Sequence, residues 1–443
     1  MQGVEIDKSP SLRESLRRFA TEIEDWIECC VASYRDEPAS DCHDQATFTI
    51  SWAPLIRRGR GRAGLSFMKA YRDRIRNHFA GTGQWKHGYW KRQEVHHGTE
   101  HFELFVGTFH KLAPDEGETA AQLLDAAEHL GNWQPDVPQW FNWDTGLFRS
   151  MYLGTEVVRE EPPLTMNVPD HFRCVNIALL AAEISNDDRY LQLAELHAGR
   201  WADAILAGGE LPAVLNADET ASGFESGIEA GYRKFAGQAP ELHTEIDRAE
   251  NFLASGAIDA FLNLWKQTGN DTFRQAAERL IDVLATQLDD PDAGSAADAV
   301  RKYYRATGDS RYSAAVIECP AASAAADVRE LSLDAFPPVE KRKSGIGKRG
   351  DAPPWFEDGK PRSRSPITMA LKAELTGDER LACEAVDMAR AYFKLARTVY
   401  PDGREHGCSA RTVNAIARGH GRENNAGVIT AVFDTVADCF GFC

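Results

Sequence analysis

The 443-residue sequence predicts an all-α protein: an (α/α) toroid of about six or seven helical hairpins with few or no strands. Three observations predict it. Amphipathic segments fill most of the chain, with apolar residues three to four apart, as in Leu12, Leu16, Phe19, Ile23, Trp26 and Ile27. A turn signature recurs between such segments: SNDDRY at 185–190, TGNDTF at 268–273, TGDSRY at 307–312 and TGDERL at 376–381. In each, Gly or Asn stops one helix and Asp or Ser caps the next. Finally, the unusual residues lie in long, non-repeating loops, as expected of loops meeting at one mouth of a closed ring. An open solenoid would instead repeat its recognition residues along one surface.

Taken in order, residues 10–38 read as a helix capped by Ser11. ATFTISWAPLI (46–56) alternates as a strand does, and a short extended loop fits it equally. RRGRGRAG (57–64) reads as a solvated loop, and LSFMKAYRDRIRNHFA after it as an amphipathic helix. DHFRCVNIALLAAEIS places Phe172, Val175, Leu179 and Ala182 on one helical face, and LQLAELHAGRWADAIL begins the next helix. The second and third turn signatures start at 268 and 307, a spacing that fits one hairpin per period. Residues 320–366 are rich in Pro, Gly and charge, yet the hairpin pattern resumes after them. They are expected to form a long loop or lid within a single domain spanning 1–443.

A net charge of -17 and a pI near 5.3 argue against non-specific nucleic-acid binding, which needs basic surface. MQGVEIDKSPSLRESLRRF has no apolar core of a secretory signal, and no run is long enough to span a bilayer, so a cytoplasmic protein without a membrane partner is expected. The nine cysteines are scattered without CxxC spacing and are expected to be reduced core residues; Cys439 and Cys443 are placed to pair or chelate at the tail.

Helix–TGDxRY–helix punctuation with aromatic-rich loops resembles the (α/α) toroid carbohydrate-active enzymes, among them unsaturated glucuronyl hydrolases and all-helical uronate polysaccharide lyases. The likeness covers residues 165–440 as a pattern and is specific to fold more than to chemistry. DHFRCVNIALLAAEISNDDRYLQLAELHA is similar to the hydrolase segment in which an aspartate precedes a helix ending in TGDPRY. The resemblance implies a saccharide substrate and directs attention to Asp170.

The densest chemistry lies between Gln84 and Glu156. In HHGTEH, a helix would put His97 with His101, and His96 with Glu100, on common faces. Imidazoles near neutral pH serve proton transfer, and a metal site would need a third ligand from elsewhere. No cofactor is expected. FNWDTGLF offers Asn142 and Asp144 between Trp140 and Trp143, where indole faces suit stacking on a sugar ring; Asp144 also fits a helix cap. Asp170, His171 and Arg173 sit at a helix start. GFESGIEAGYRKF aligns Glu225, Glu229 and Tyr232. DGREHGCSARTVNAIARGHGRENNAG gathers Arg404, His406, Arg411, Arg422 and Asn424, suited to holding a carboxylate.

Two chemistries fit. β-Elimination on a uronate needs the substrate carboxylate neutralised, a base and an acid. Hydrolysis needs two opposed carboxylates. The inventory favours a lyase, with His97 and His101 as base or charge neutraliser, Tyr232 as acid–base partner and Glu100 nearby; a glycoside hydrolase is the alternative. The anticipated partner is an anionic oligo- or polysaccharide. A non-enzymatic helical scaffold is the remaining class, and it would show repeating surface residues and no His/Trp concentration.

Overall fold

The computed structural model describes residues 11–40, 46, 48–162, 164–223, 225–230, 242–288, 294–319, 366–399 and 428–442. Its helices are α1 (Leu12–Tyr34), α2 (Ala53–Ile56), α3 (Arg62–Gly81), α4 (Val95–Glu100), α5 (Gly107–Leu112), α6 (Gly117–Glu128), α7 (Phe172–Ser185), α8 (Asp188–Leu206), α9 (Glu245–Ala254), α10 (Ala257–Thr268), α11 (Asp271–Ala285), α12 (Gly294–Thr307), α13 (Ser313–Glu318), α14 (Pro366–Thr376), α15 (Glu379–Val399) and α16 (Val428–Cys439). A π-helical turn, His101–Val106, joins α4 to α5.

The helices close into a ring. Its inner wall runs from the α4–α5 unit to α7, α10, α12, α14 and α16, and α2 bridges α16 back to α5. Outside it, α6 lies against α7 and α8 packs on α11, while α15, α1 and α3 pack in succession. Inner helices touch neighbours on nearly every side. Thus α7 buries Phe172 through Val175 and Ile177 through Ala181, and α14 buries Pro366 through Leu371, with little amphipathic bias. Outer helices such as α1 bury one stripe, Leu16, Phe19, Ile23, Trp26 and Ile27. The predicted toroid is therefore the observed fold.

The turn signatures act as read. Asn186, Gly269, Gly308 and Gly377 all adopt the left-handed backbone that ends a helix. Asp187 and Asn270 then accept from the amides of Arg189 (3.1 Å) and Thr272 (3.0 Å) to start the next helix. Aromatic rings fill the space between the walls: Phe172 meets Phe261 at 4.9 Å, and Trp201 meets Phe252 at 5.2 Å.

Among the described residues, four two-stranded antiparallel ribbons decorate the ring: β1 (Trp85–Lys86) with β2 (Tyr89–Trp90), β3 (Gln93–Glu94) with β6 (Tyr152–Leu153), β4 (Phe141–Asn142) with β5 (Leu147–Phe148), and β7 (Val214–Leu215) with β8 (Ala221–Ser222). The described residues of the segment 46–56 form no strand. Phe48–Trp52 is a 3₁₀ turn leading into α2, because burying Trp52, Leu55 and Ile56 on one side needs helical spacing. Nor are Arg57 and Arg58 merely solvated. Both bind Asp434 of α16, at 2.8 and 2.7 Å, and Arg58 also pairs with Asp438. The lid segment falls outside the described residues apart from Pro366, as does Cys443 of the tail pair. Among the described residues no helix is long and apolar enough to cross a membrane.

Candidate active site

The HHGTEH segment becomes α4, the first part of the inner wall, packed against the start of α7. Glu94 caps it, accepting from the His97 amide at 3.2 Å and pairing with the His97 ring. The turn Pro169–His171 leads into α7 with Pro at its first position, where no amide donor is needed. Through this pairing His96 Nδ1 lies 3.1 Å from Asp170 Oδ1. Arg173, the second residue of α7, brings its guanidinium within 3.7 Å of Asp170 and 3.8 Å of Glu100. The Asp170 side chain is only 9% exposed, whereas His96 keeps 24% of its surface open.

Burial and Arg173 both oppose protonation of His96, but Asp170 and Glu100 outweigh them and lift its pKa to about 9. Burial likewise raises Asp170, and the cations His96 and Arg173 overcome it, holding the carboxylate down to about 2. At neutral pH this is an imidazolium–carboxylate pair.

One turn beyond Glu100, the π-helical turn presents Glu103. Asn176 Nδ2 of α7 lies 3.4 Å from Glu103 Oε1 and 3.3 Å from the Gly256 carbonyl. Burial raises the Glu103 pKa, against opposition from Arg173 and Lys111. Lys302 of α12, bonded to Asp259 of α10, acts on the same carboxyl. Arg173 thus lies beside Asp170, whose ionised form it favours, and it opposes the burial that raises the Glu103 carboxyl. Such π-helical insertions recur at functional sites, and separated carboxyl pKa values mark acid and base roles.

Glu103, Asn176 and Lys302 were not among the sequence candidates. Glu103 stands three residues after Glu100, a spacing that signals a shared helical face. Nothing in the sequence announces that the turn is π-helical.

The structure separates the remaining candidates. His101 is 1% exposed and lies among the rings of Trp85, Phe102 and Phe105, so its expected role as a base gives way to core packing. His97 is engaged by Glu94. His171 is fully buried. Its Nε2–H donates to Ser150 O at 3.2 Å, its Nδ1 accepts from the Val168 amide at 3.1 Å, and its ring stacks on Phe148. Burial drives its pKa down to about 4, only partly offset by those backbone bonds, so it is a neutral strut and not a substrate ligand. Trp140, expected as a stacking platform, is wholly enclosed and donates to Gly154 O at 3.1 Å.

Trp143 is 38% exposed but lies on the β4–β5 hairpin, bonded to Gly131 O at 2.9 Å beside Trp133. That hairpin rests on outer helix α8, through Arg200 donating to Thr145 O at 2.7 Å. Asn142 and Asp144 belong to this hairpin, where the Asn142 side chain accepts from the Asp144 amide. Tyr232, Arg404, His406, Arg411, Arg422 and Asn424 lie outside the described residues.

No family profile matches the chain, and no curated protein matches it in sequence. Among solved structures it is similar to an unsaturated glucuronyl hydrolase specific for heparin, at 11% identity and a TM-score of 0.44, over 68% of this chain and 77% of that one. It is also similar to cellobiose 2-epimerase from Bacillus thermoamylovorans B4167, at 13% identity and a TM-score of 0.35, over 61% of this chain and 87% of that one. Likenesses this loose carry no argument about chemistry, and the closed ring rests on the chain's own helix contacts.

Proposed function

We propose that the chain is a carbohydrate-active enzyme that cleaves a glycosidic bond by carboxylate acid–base chemistry, with a uronate-bearing oligosaccharide as substrate. The observation that carries this reading is the buried Asp170 carboxylate, held by His96 at 3.1 Å and Arg173 at 3.7 Å, with Glu103, whose pKa burial raises, meeting Asn176 of the adjoining α7 at 3.4 Å. Glu103 would donate to the leaving oxygen, while Asp170, oriented by His96, would act as base on water or stabilise positive charge at the anomeric carbon. Asp170 is also the residue that the sequence resemblance aligns with the aspartate preceding an inner helix of the hydrolases.

β-Elimination is the second reading. It is favoured by His96, which its carboxylate neighbours keep cationic beside Arg173, since such a pair suits the charge that develops on a uronate. Its acid or base partner, Tyr232, and its carboxylate-holding residues, Arg404, Arg411, Arg422 and Asn424, stand as sequence-based assignments.

Incubation with a panel of uronate glycans and pre-cut unsaturated oligosaccharides separates the two. New reducing ends without a rise in ultraviolet absorbance support hydrolysis. A rising absorbance from a conjugated double bond supports elimination and overturns the hydrolytic assignment. No change with any saccharide overturns both.

A further inference from the structure

A second cluster lies where hairpin β1–β2 meets the end of α6. His87 and Gly88 form its two-residue turn, with φ of 57° and 82°. Two successive left-handed residues define a type I′ turn, at whose first position Asn, Asp or Gly is preferred. Histidine there is locally unfavourable, so the imidazole's contacts must compensate. The His87 ring stacks on that of His129 at a centroid distance of 3.7 Å and an angle of 18°.

His129 Nδ1 lies 2.6 Å from the Asp125 backbone carbonyl, an acceptor only, so this nitrogen carries the hydrogen. In the neutral ring Nε2 then presents a lone pair, and it faces Asp136 Oδ1 at 3.2 Å. His87 has carboxylate oxygens at both nitrogens: Asp125 Oδ1 at 2.9 Å from Nδ1, and Asp136 Oδ2 at 2.8 Å from Nε2. His87 Nε2 and His129 Nε2 therefore both turn to the one Asp136 carboxylate, so that three ligand-type groups converge.

We infer that His87 Nε2, His129 Nε2 and the Asp136 carboxylate form a binding site for a single divalent transition-metal ion, of which zinc fits best. Two imidazoles and a carboxylate suit zinc, with water as fourth ligand on the side where Asp136 is 41% exposed. The three ligand atoms lie within 4.8 Å of one another. Each imidazole has its distal nitrogen anchored, His87 by the Asp125 carboxylate and His129 by the Asp125 carbonyl, the arrangement that orients metal-binding histidines. Lys86 Nζ, 3.1 Å from Asp136 Oδ2 and 2.6 Å from the Asp136 carbonyl, flanks the carboxylate on its outer side. The ion would pin the hairpin to α6, fixing the strand that leads into α4 and His96.

The test compares wild type with His87→Asn, a change that suits the turn, and with Asp125→Asn, both stripped of metal and titrated with Co²⁺ and Zn²⁺. Wild type should take up one Co²⁺ with weak visible ligand-field bands and no thiolate charge-transfer band, and Zn²⁺ should raise its melting temperature. His87→Asn should lose that uptake while melting no lower than metal-free wild type. Asp125→Asn should bind about 10–100-fold more weakly. Absence of uptake in wild type, or uptake that persists in His87→Asn, would overturn the assignment. None of these readouts depends on glycan turnover.

Discussion

His96 Nδ1 and Asp170 Oδ1 stand 3.1 Å apart, joining residues 74 positions apart in sequence at the junction of two inner-wall helices. This contact locks the His-rich segment to the start of α7 and sets the ionisation of both groups. The pH dependence of stability follows. His96 is raised in the folded state, so its contribution is complete below its ordinary value near 6.5 and is lost as pH rises through about 9. Asp170 is depressed, so its contribution is present above its ordinary value and is lost as pH falls through about 2. The melting-temperature gap between wild type and His96→Gln should shrink as pH climbs from 6.5 to 9. A constant gap over that interval would show that the pair does not titrate as described.

Asp170→Asn should destabilise the fold by about 3 kcal/mol, because it leaves His96 and Arg173 with much of their countercharge removed in a poorly solvated place. Chemical denaturation of the variant at pH 7 measures this. A loss below about 1 kcal/mol would mean that solvent reaches the pair freely.

Glu103→Gln should retain the fold and lower kcat by about 10²–10⁴-fold, the range for loss of a general acid. Since Glu103 is the group held towards its neutral form, the alkaline limb of the kcat profile should move with it. Unchanged turnover would remove Glu103 from the mechanism.

Gly256→Ala tests the support of that carboxyl. Gly256 has φ of +74°, and a Cβ there would come 2.4 Å from Asn176 Nδ2 and 3.2 Å from Glu103 Oε1. The backbone strain alone should cost about 1–3 kcal/mol. Displacement of Asn176 should lower kcat more than it changes KM. A variant of reduced stability but wild-type kcat would uncouple Asn176 from the chemistry.

The two tryptophans of QWFNW should part company. Trp140→Ala empties an enclosed site and should cost about 3–5 kcal/mol, whereas Trp143→Ala, at a half-open position, should cost far less. If Trp143 nevertheless stacks on substrate, its loss will appear in KM and not in melting.

The ring was legible in the sequence because its signals are local. Asn186, Gly269, Gly308 and Gly377 end helices by their own backbone preference, and stripes such as Leu16–Phe19–Ile23 declare their buried face. The site was legible only in part. His96, Glu100, Asp170 and Arg173 were picked out by residue type and position, and they do converge. Glu103 looked like one more polar helical residue, since only a π-helical turn and a partner on α7 distinguish it. His101, His171 and Trp140 carry the same chemical promise as the residues gathered around Arg173. What assigns them to the core is enclosure by distant segments, a property of packing that one-dimensional spacing does not encode. The zinc-type cluster was hidden similarly, since His87, His129 and Asp136 follow no ligand-spacing motif.

The clasp of Arg57 and Arg58 on Asp434, with α1 lodged against α15 and α16, makes this wall complete only when sequence-distant segments meet. On a ribosome, α1 emerges with its greasy stripe of Phe19, Ile23 and Trp26 facing partners not yet synthesised. Until α15 and α16 arrive, that stripe needs either a chaperone or a temporary non-native cover. Closing so long a loop carries a large entropic toll and makes final assembly slow. Damage to the short α16 should therefore surface first as aggregation during synthesis, well before it registers as lost catalysis in whatever fraction folds.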